Sequence, residues 1–424
     1  MNFAFKILSI TLLSALCVSA AQGPRHKSLR AYAMGNAHVA VVDDKEAIYY
    51  NYAGLNQLGK LGDYKNHPEM GYYPGNTIDM RINAGGAGAF DQFHGAYDLA
   101  SDLQDLYDCA RDDAKAKNAA DPTAKVTTER AYMDSLAAHP ELTKRINKYD
   151  HLLFSMIAKA DAELAFHDFG GSIWVNGDVA PYVDGGIILP FVGVDTFYVD
   201  AVIQAGGAVG ITEDLAVGVG VKAAKRQSVD YMRFDASNFT NVTDTLQDRT
   251  DNARDDVFKW KEIAYGMDFG VLYQLTREVR LGAALNDVFF NKLDGQRITP
   301  DLTAGINYSP RFCNRNTAYS RKMNIAMDFE DALNDERNYK PLSHLDFGIE
   351  LEQVLLAIPG YNDNWRFLKL RLSGGFKGGY PSAGIAVEAL RLVTVEAATW
   401  GEERGYYTGQ DENRLYMLQV SLGF

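Results

Sequence analysis

The sequence predicts an all-β chain, an outer-membrane antiparallel β-barrel of about 14 strands whose first outer loop is helical. Three observations predict it. The chain opens with an export leader and has no long apolar segment after it. It is acidic and rich in glycine and tyrosine, with 38 Gly, 24 Tyr, 12 Pro and a formal net charge of −13. Segments of about ten residues alternate apolar and polar side chains with period two, the pattern of strands covered differently on their two faces.

The leader is MNFAFKILSITLLSALCVSAAQG: one lysine, an apolar run from Ile7 to Val18, then small residues. Val18 and Ala20 fit a small-x-small cleavage site, placing the cut after Ala20, with Ala21 as the neighbouring alternative. The run is short for a stop-transfer helix. Leu16 before Cys17 is too bulky for a lipoprotein box. The acidic balance argues against nucleic acid and against a polybasic membrane-surface protein. Past the leader, Cys109 and Cys313 are too far apart for a metal motif or a disulfide framework. They either pair or stay reduced.

The strands are expected near 79–91, 150–165, 171–190, 195–211, 215–230, 259–274, 279–290, 300–309, 321–331, 344–356, 365–376, 379–390, 391–401 and 413–424. In KEIAYGMDFGVLY, Ile263, Tyr265, Met267, Phe269, Val271 and Tyr273 share one face; Glu262, Ala264, Gly266, Asp268 and Gly270 share the other. MNIAMDFE from Met323, LDFGIELE from Leu345 and FLKLRLSGGF from Phe367 repeat the alternation. An arginine facing lipid at the midplane costs about 2–4 kcal/mol, so the charged face is assigned to the interior. That places Asp268, Asp328, Asp346, Glu350, Glu352 and Glu388 inward, with Lys369 and Arg371 as their partners. Buried charges of this kind must be paired or hydrated. The expected role is either a structural network filling the barrel or the lining of a solute path.

An even strand count puts both termini in the periplasm. Segments 211–216 and 275–280 then become short periplasmic turns, and 97–149, 231–258 and 402–412 become outer loops. Residues 97–149 have helical spacing, with Leu99, Leu103, Leu106, Tyr107 and Ala110 on one stripe. They either cap the mouth or form a solvated excursion with local packing. The chain closes on Tyr416, Leu418, Val420, Leu422 and Phe424, an alternating lipid face ending on an aromatic. This resembles the signal read by the outer-membrane insertion machinery, an expected partner during assembly.

No enzyme is expected. The eight histidines lack metal-ligand spacing, Gly-x-Ser-x-Gly and Gly-x-x-x-x-Gly-Lys are missing, and no cofactor or metal is expected. The Gly-rich AGGAGAF (84–90) reads as a strand without a following helix, hence not a phosphate loop.

The stretch SLRAYAMGNAHVAVVDDKEAIYYNYAGLNQLGK (28–60) resembles the N-terminal signature of the FadL/TodX-like superfamily of outer-membrane barrels, which includes PorV-type and TraF-like branches. The matching residues are Ala33-Met34-Gly35, the apolar Val39 to Val42, Asp43-Asp44, Ala47, Tyr49-Tyr50, and Asn51 followed by Ala53-Gly54-Leu55. Tyr52 stands where the family has proline. Segments 213–225, 279–290, 298–309, 323–333 and 344–352 look like successive hairpins of the PorV and TraF-like branches. The resemblance implies a 14-stranded barrel whose lumen holds an N-terminal hatch, here 21–78 between the leader (1–20) and the barrel (79–424), with Met34, Gly35, Asn51, Tyr52, Ala53 and Gly54 as the hatch motif. Close packing beside that hatch is the expected role of the glycines in AGGAGAF. Two functions follow from the resemblance: passage of small hydrophobic solutes across the outer membrane, or a sealed scaffold assisting secretion or surface attachment of a protein partner.

Overall fold

The computed structural model describes residues 23–58, 78–88, 90–149, 155–184, 191–228, 232–235, 263–313, 321–333, 344–358, 365–390, 392–403 and 412–423. The leader, Phe424, and most of the 231–258 and 402–412 loops lie outside the described residues.

Fourteen long antiparallel strands form a closed ring. They are β1 (Ile78–Gly88), β2 (Met156–Phe166), β3 (Phe169–Asp184), β4 (Phe191–Gly210), β5 (Leu215–Ser228), β6 (Ala264–Gln274) and β7 (Val279–Val288). The ring continues with β8 (Asp301–Tyr308), β9 (Arg321–Phe329), β10 (Leu345–Ile358), β11 (Trp365–Lys377), β12 (Tyr380–Ala389), β13 (Val393–Glu403) and β14 (Glu412–Gly423). Every strand expected from alternation is present. Closure comes from β1 against β14, with Arg81 opposite Gly423 and Gly88 opposite Tyr416. Closing the ring satisfies the backbone of both terminal strands, which an open edge would leave bare.

Alternation maps onto the two faces of the wall. On β14, Tyr416, Leu418, Val420 and Leu422 are exposed, while Met417, Gln419 and Ser421 are buried. The outer face carries Ile82, Ile173, Ile203, Val219, Val221, Val271, Ile349, Leu372 and Ile385, all exposed. Such a continuous apolar exterior is the surface that a bilayer covers. Leu418→Arg is therefore expected to cost about 2–4 kcal/mol of barrel stability. Heat-modifiable gel mobility should show a smaller folded fraction than for Gln419→Ala, which alters the inner face.

Most short turns gather at one end of the ring, although the two-residue turn Gly378–Gly379 lies at the other. Turns 211–214 and 275–278 are built alike: Thr212 Oγ1 accepts from Leu215 N at 3.0 Å, and Thr276 Oγ1 from Val279 N at 3.1 Å. A hydroxyl that caps its own turn fixes a tight reversal. The other end carries the helices α3 (Phe90–Ala120), α4 (Thr128–Ala138) and α5 (Pro140–Tyr149), counted after α1 (Leu29–Ala33) and α2 (Ala47–Tyr50). Leu99 and Leu103 pack with Leu142, Ile146 and Tyr149; Tyr107 and Ala110 pack with Ala131 and Tyr132. The helices thus share a local core of their own. Cys109 and Cys313 are both free, on connections at opposite ends of the barrel.

One expectation needs correction. A helix does follow the Gly-rich segment: α3 starts at Phe90, seven residues before the expected 97. The segment still makes no phosphate loop, because Gly85, Gly86 and Gly88 are paired on both sides within β1. A Cβ on Gly85 would first meet Leu418 O, Met417 and Gln419 of β14, while Ala87 in the same segment packs with Leu29, Tyr32 and Ala33 of the N-terminal segment.

Candidate functional site in the barrel lumen

Residues 23–58 lie inside the ring and meet strands on every side of it. Arg25 reaches Asp301 on β8 at 2.7 Å, and His26 reaches Asp161 on β2 at 3.0 Å. Tyr32 stacks at a tilt on Trp400 of β13, and Ser382 on β12 donates to Ala33 O at 3.1 Å. Val39 N donates to Asp328 on β9 at 2.7 Å, and Gln204 on β4 donates to Ile48 O at 3.1 Å. A segment with little regular structure must find partners for its backbone, and inward-facing side chains supply them.

The motif residues each have a mechanical reason. Gly35 has φ +63°, and a Cβ there would overlap the carbonyl oxygens of Phe347 and Phe376. Met34 is fully buried with Ala37, Val41 and Ala326. Asn51 Nδ2 donates to Val39 O at 3.0 Å and to Val271 O at 3.1 Å, while its Oδ1 accepts from Ala53 N at 3.1 Å. One side chain thereby joins two stretches of the segment to β6 and starts a 3₁₀ helix at Tyr52–Gln57. Ala53 and Gly54 are buried, and Gly54 packs on Val42 and Ala47.

Tyr52 occupies a socket made by three glycines. Cβ atoms on Gly206 (β4), Gly218 and Gly220 (β5) would each overlap it. The ring and its missing neighbours fit together, which accounts for tyrosine where the resembled pattern has proline.

The inward charges do not form one network. Glu350 takes a bidentate bond from Arg30, Nε at 2.7 Å and Nη2 at 2.6 Å; Arg30 also donates to Asp43 at 3.1 Å and Asp44 at 2.8 Å. Arg371 lies between Glu350, at 3.7 Å, and Glu396. Lys369 belongs to a second row with Glu352 at 3.5 Å and Glu388 at 3.2 Å, continued by Arg81. Asp328 holds backbone N–H groups of His38 and Val39. Asp346 accepts from Gly378 N at 3.2 Å on the β11–β12 turn. Asp268 pairs with Lys222 at 2.9 Å, which also reaches Asp287 at 2.7 Å. Arg25, Lys27, Arg30 and Lys45, all on the luminal segment, are the cations that sequence periodicity missed. They precede the strands, so alternation says nothing about where they point.

Titration on the segment follows burial. Burial, with Lys159 near, lowers His26 to about 4. Burial, with Arg30 near, lowers His38 to about 3. Burial and the Asp44 carboxylate push Glu46 up to about 7.

An apolar cluster lies among the inward charges of β3 to β6, beside the Lys222–Asp268 and Arg226–Asp200 pairs. Trp174 (β3), Val202 (β4), Ala224 (β5) and Ala264 (β6) pack with Phe290, Leu293 and Ile298 from the β7–β8 connection. Tyr49 of the luminal segment packs against this cluster and stacks on His26, ring centroids 3.7 Å apart. A buried apolar cluster therefore joins the β7–β8 connection to the luminal segment.

No family model and no curated protein matches the chain. Among solved structures it is similar to the Pseudomonas putida toluene transporter TodX, with 9% identity and a TM-score of 0.44, covering 96% of this chain and 99% of that one. It is similar to the Ralstonia pickettii toluene transporter TbuX, with 11% identity and a TM-score of 0.39, covering 94% and 97%. Similarity to CdiB from Acinetobacter baumannii is 11% identity at a TM-score of 0.30, covering 64% of this chain and 51% of that one. Likeness at this level assigns no activity to the chain.

Proposed function

We propose that the chain is an outer-membrane barrel that admits small hydrophobic solutes, with residues 23–58 as a hatch. Location in an outer membrane is supported by the apolar exterior of a closed ring. Both termini then face the periplasm, and the alternating residues Tyr416, Leu418, Val420 and Leu422 of β14 would be read by the insertion machinery. The observation that carries the transport reading is the apolar cluster of Trp174, Val202, Phe290, Leu293 and Ile298 ending on Tyr49 of the hatch. An apolar cluster inside a barrel otherwise rich in charges is suited, once its side chains part, to a ligand without hydrogen-bonding groups. The ion pairs at Arg30, Lys27 and Arg25 hold the hatch in place, so passage requires part of the segment to shift.

Those ion pairs also favour a second reading, a sealed scaffold whose outer helices dock a secreted or surface protein. Purification from outer membranes, followed by mass spectrometry of co-purifying lipids and proteins, separates the two. A bound apolar molecule lost in Phe290→Asp supports transport. A stoichiometric protein partner with no bound apolar molecule supports the scaffold.

A further inference from the structure

His38, Asp44 and Glu46 form a cluster on the luminal segment that the solute path does not use. His38 is fully buried, and neither ring nitrogen has a hydrogen-bond partner among the described residues. Glu46 Oε2 is buried and equally without one. The two side chains face each other, His38 Nε2 lying 3.2 Å from Glu46 Oε2. The Asp44 carboxylate completes the group, with one ligand atom from each residue lying within 4.8 Å of the others. Buried polar atoms are nearly always satisfied, so an orphaned nitrogen and an orphaned oxygen facing one point call for an occupant.

We propose that His38, Asp44 and Glu46 bind a divalent transition-metal cation of the zinc class inside the luminal segment. A neutral imidazole with two carboxylates is a donor set for such an ion, leaving a fourth position for water. Tetrahedral bonds of about 2.0 Å place neighbouring donor atoms about 3.3 Å apart, close to the His38–Glu46 spacing. Asp44, whose side chain is 27% exposed, would turn to close the remaining distance on binding. Its oxygens already accept from Glu46 N and Arg30, yet each carboxylate oxygen keeps a further lone pair.

The nearby charge allows a dication despite Arg30. The connected carboxylates are Asp43, Asp44, Glu46, Glu350 and Glu396, and the connected cations are Arg30, Lys322 and Arg371. Two negative charges remain in excess, which a dication neutralises. The cation would tie the His38 stretch to the Asp44–Glu46 turn, closing a small loop of the segment. The proposal is independent of what the barrel transports.

The test uses the full chain from outer membranes, stripped with chelator, equilibrated with Zn²⁺ and desalted before elemental analysis. One retained equivalent is expected for wild type. His38→Ala and Glu46→Gln should each lower retention at least tenfold, while His139→Ala, between α4 and α5, should leave it unchanged. Bound Zn²⁺ should also slow proteolysis of residues 23–58 in wild type alone. Heat-modifiable mobility checks that each variant is folded; Glu46→Gln preserves size and carries the test if His38→Ala misassembles. No retained equivalent in wild type, or equal retention in folded Glu46→Gln, overturns the site.

Discussion

Glu350→Ala is expected to release the luminal segment from the wall. Arg30 is 4% exposed and sends two short bonds to Glu350, itself 1% exposed. Removing one partner of a buried pair leaves an uncompensated charge, at a cost of about 3–5 kcal/mol. Asp43 and Asp44 keep part of the Arg30 charge compensated, which sets the lower end of that range. The loss falls on docking of the segment, since every strand keeps both neighbours. Limited proteolysis should therefore cut within residues 23–58 while heat-modifiable mobility stays normal. Planar-bilayer recordings should show ion conductance that wild type lacks. Unchanged protease resistance would mean that the segment is held chiefly by its apolar contacts.

Gly220→Ala is expected to be nearly as damaging, although it adds one methyl group. The new Cβ would overlap the Tyr52 ring, whose other edge meets Gly206 while Gly218 lies against the Tyr52 backbone and Cβ. Overpacking of this kind costs about 1–3 kcal/mol, because neither the ring nor the strand backbone has room to yield. Tyr52→Ala alone should also destabilise docking, by about 3–5 kcal/mol for a buried aromatic. In the double variant the two losses should be less than additive, with a coupling of about 0.5–3 kcal/mol measured by protease protection. Additive losses would show that ring and socket do not act together.

The strands were legible in the sequence because a barrel wall obeys one rule. Lipid covers one face and the lumen covers the other, so alternation survives over ten residues or more. The pairs Glu350–Arg371 and Lys369–Glu352 follow directly from that period. Arg30 was not legible as a luminal cation, because a segment of short helices and turns has no period to read. The Tyr52 socket was equally hidden. Gly206, Gly218 and Gly220 read as ordinary strand glycines until the ring that needs their space is in place. The start of α3 was misplaced because the apolar stripe of Phe90, Phe93 and Tyr97 is short, is interrupted by Gly95 and follows closely on the glycines of β1.

The central claim is that small hydrophobic solutes enter past the apolar cluster. Its most direct test is uptake of the hydrophobic fluorophore N-phenylnaphthylamine by cells whose outer membrane carries intact lipopolysaccharide. Expression of the chain should raise the initial rate several-fold over the empty vector. Phe290→Asp, which places a charge in the Trp174–Leu293 cluster, should return the rate to the vector level with the barrel still folded. A wild-type rate equal to that of the empty vector would contradict transport and leave the sealed scaffold.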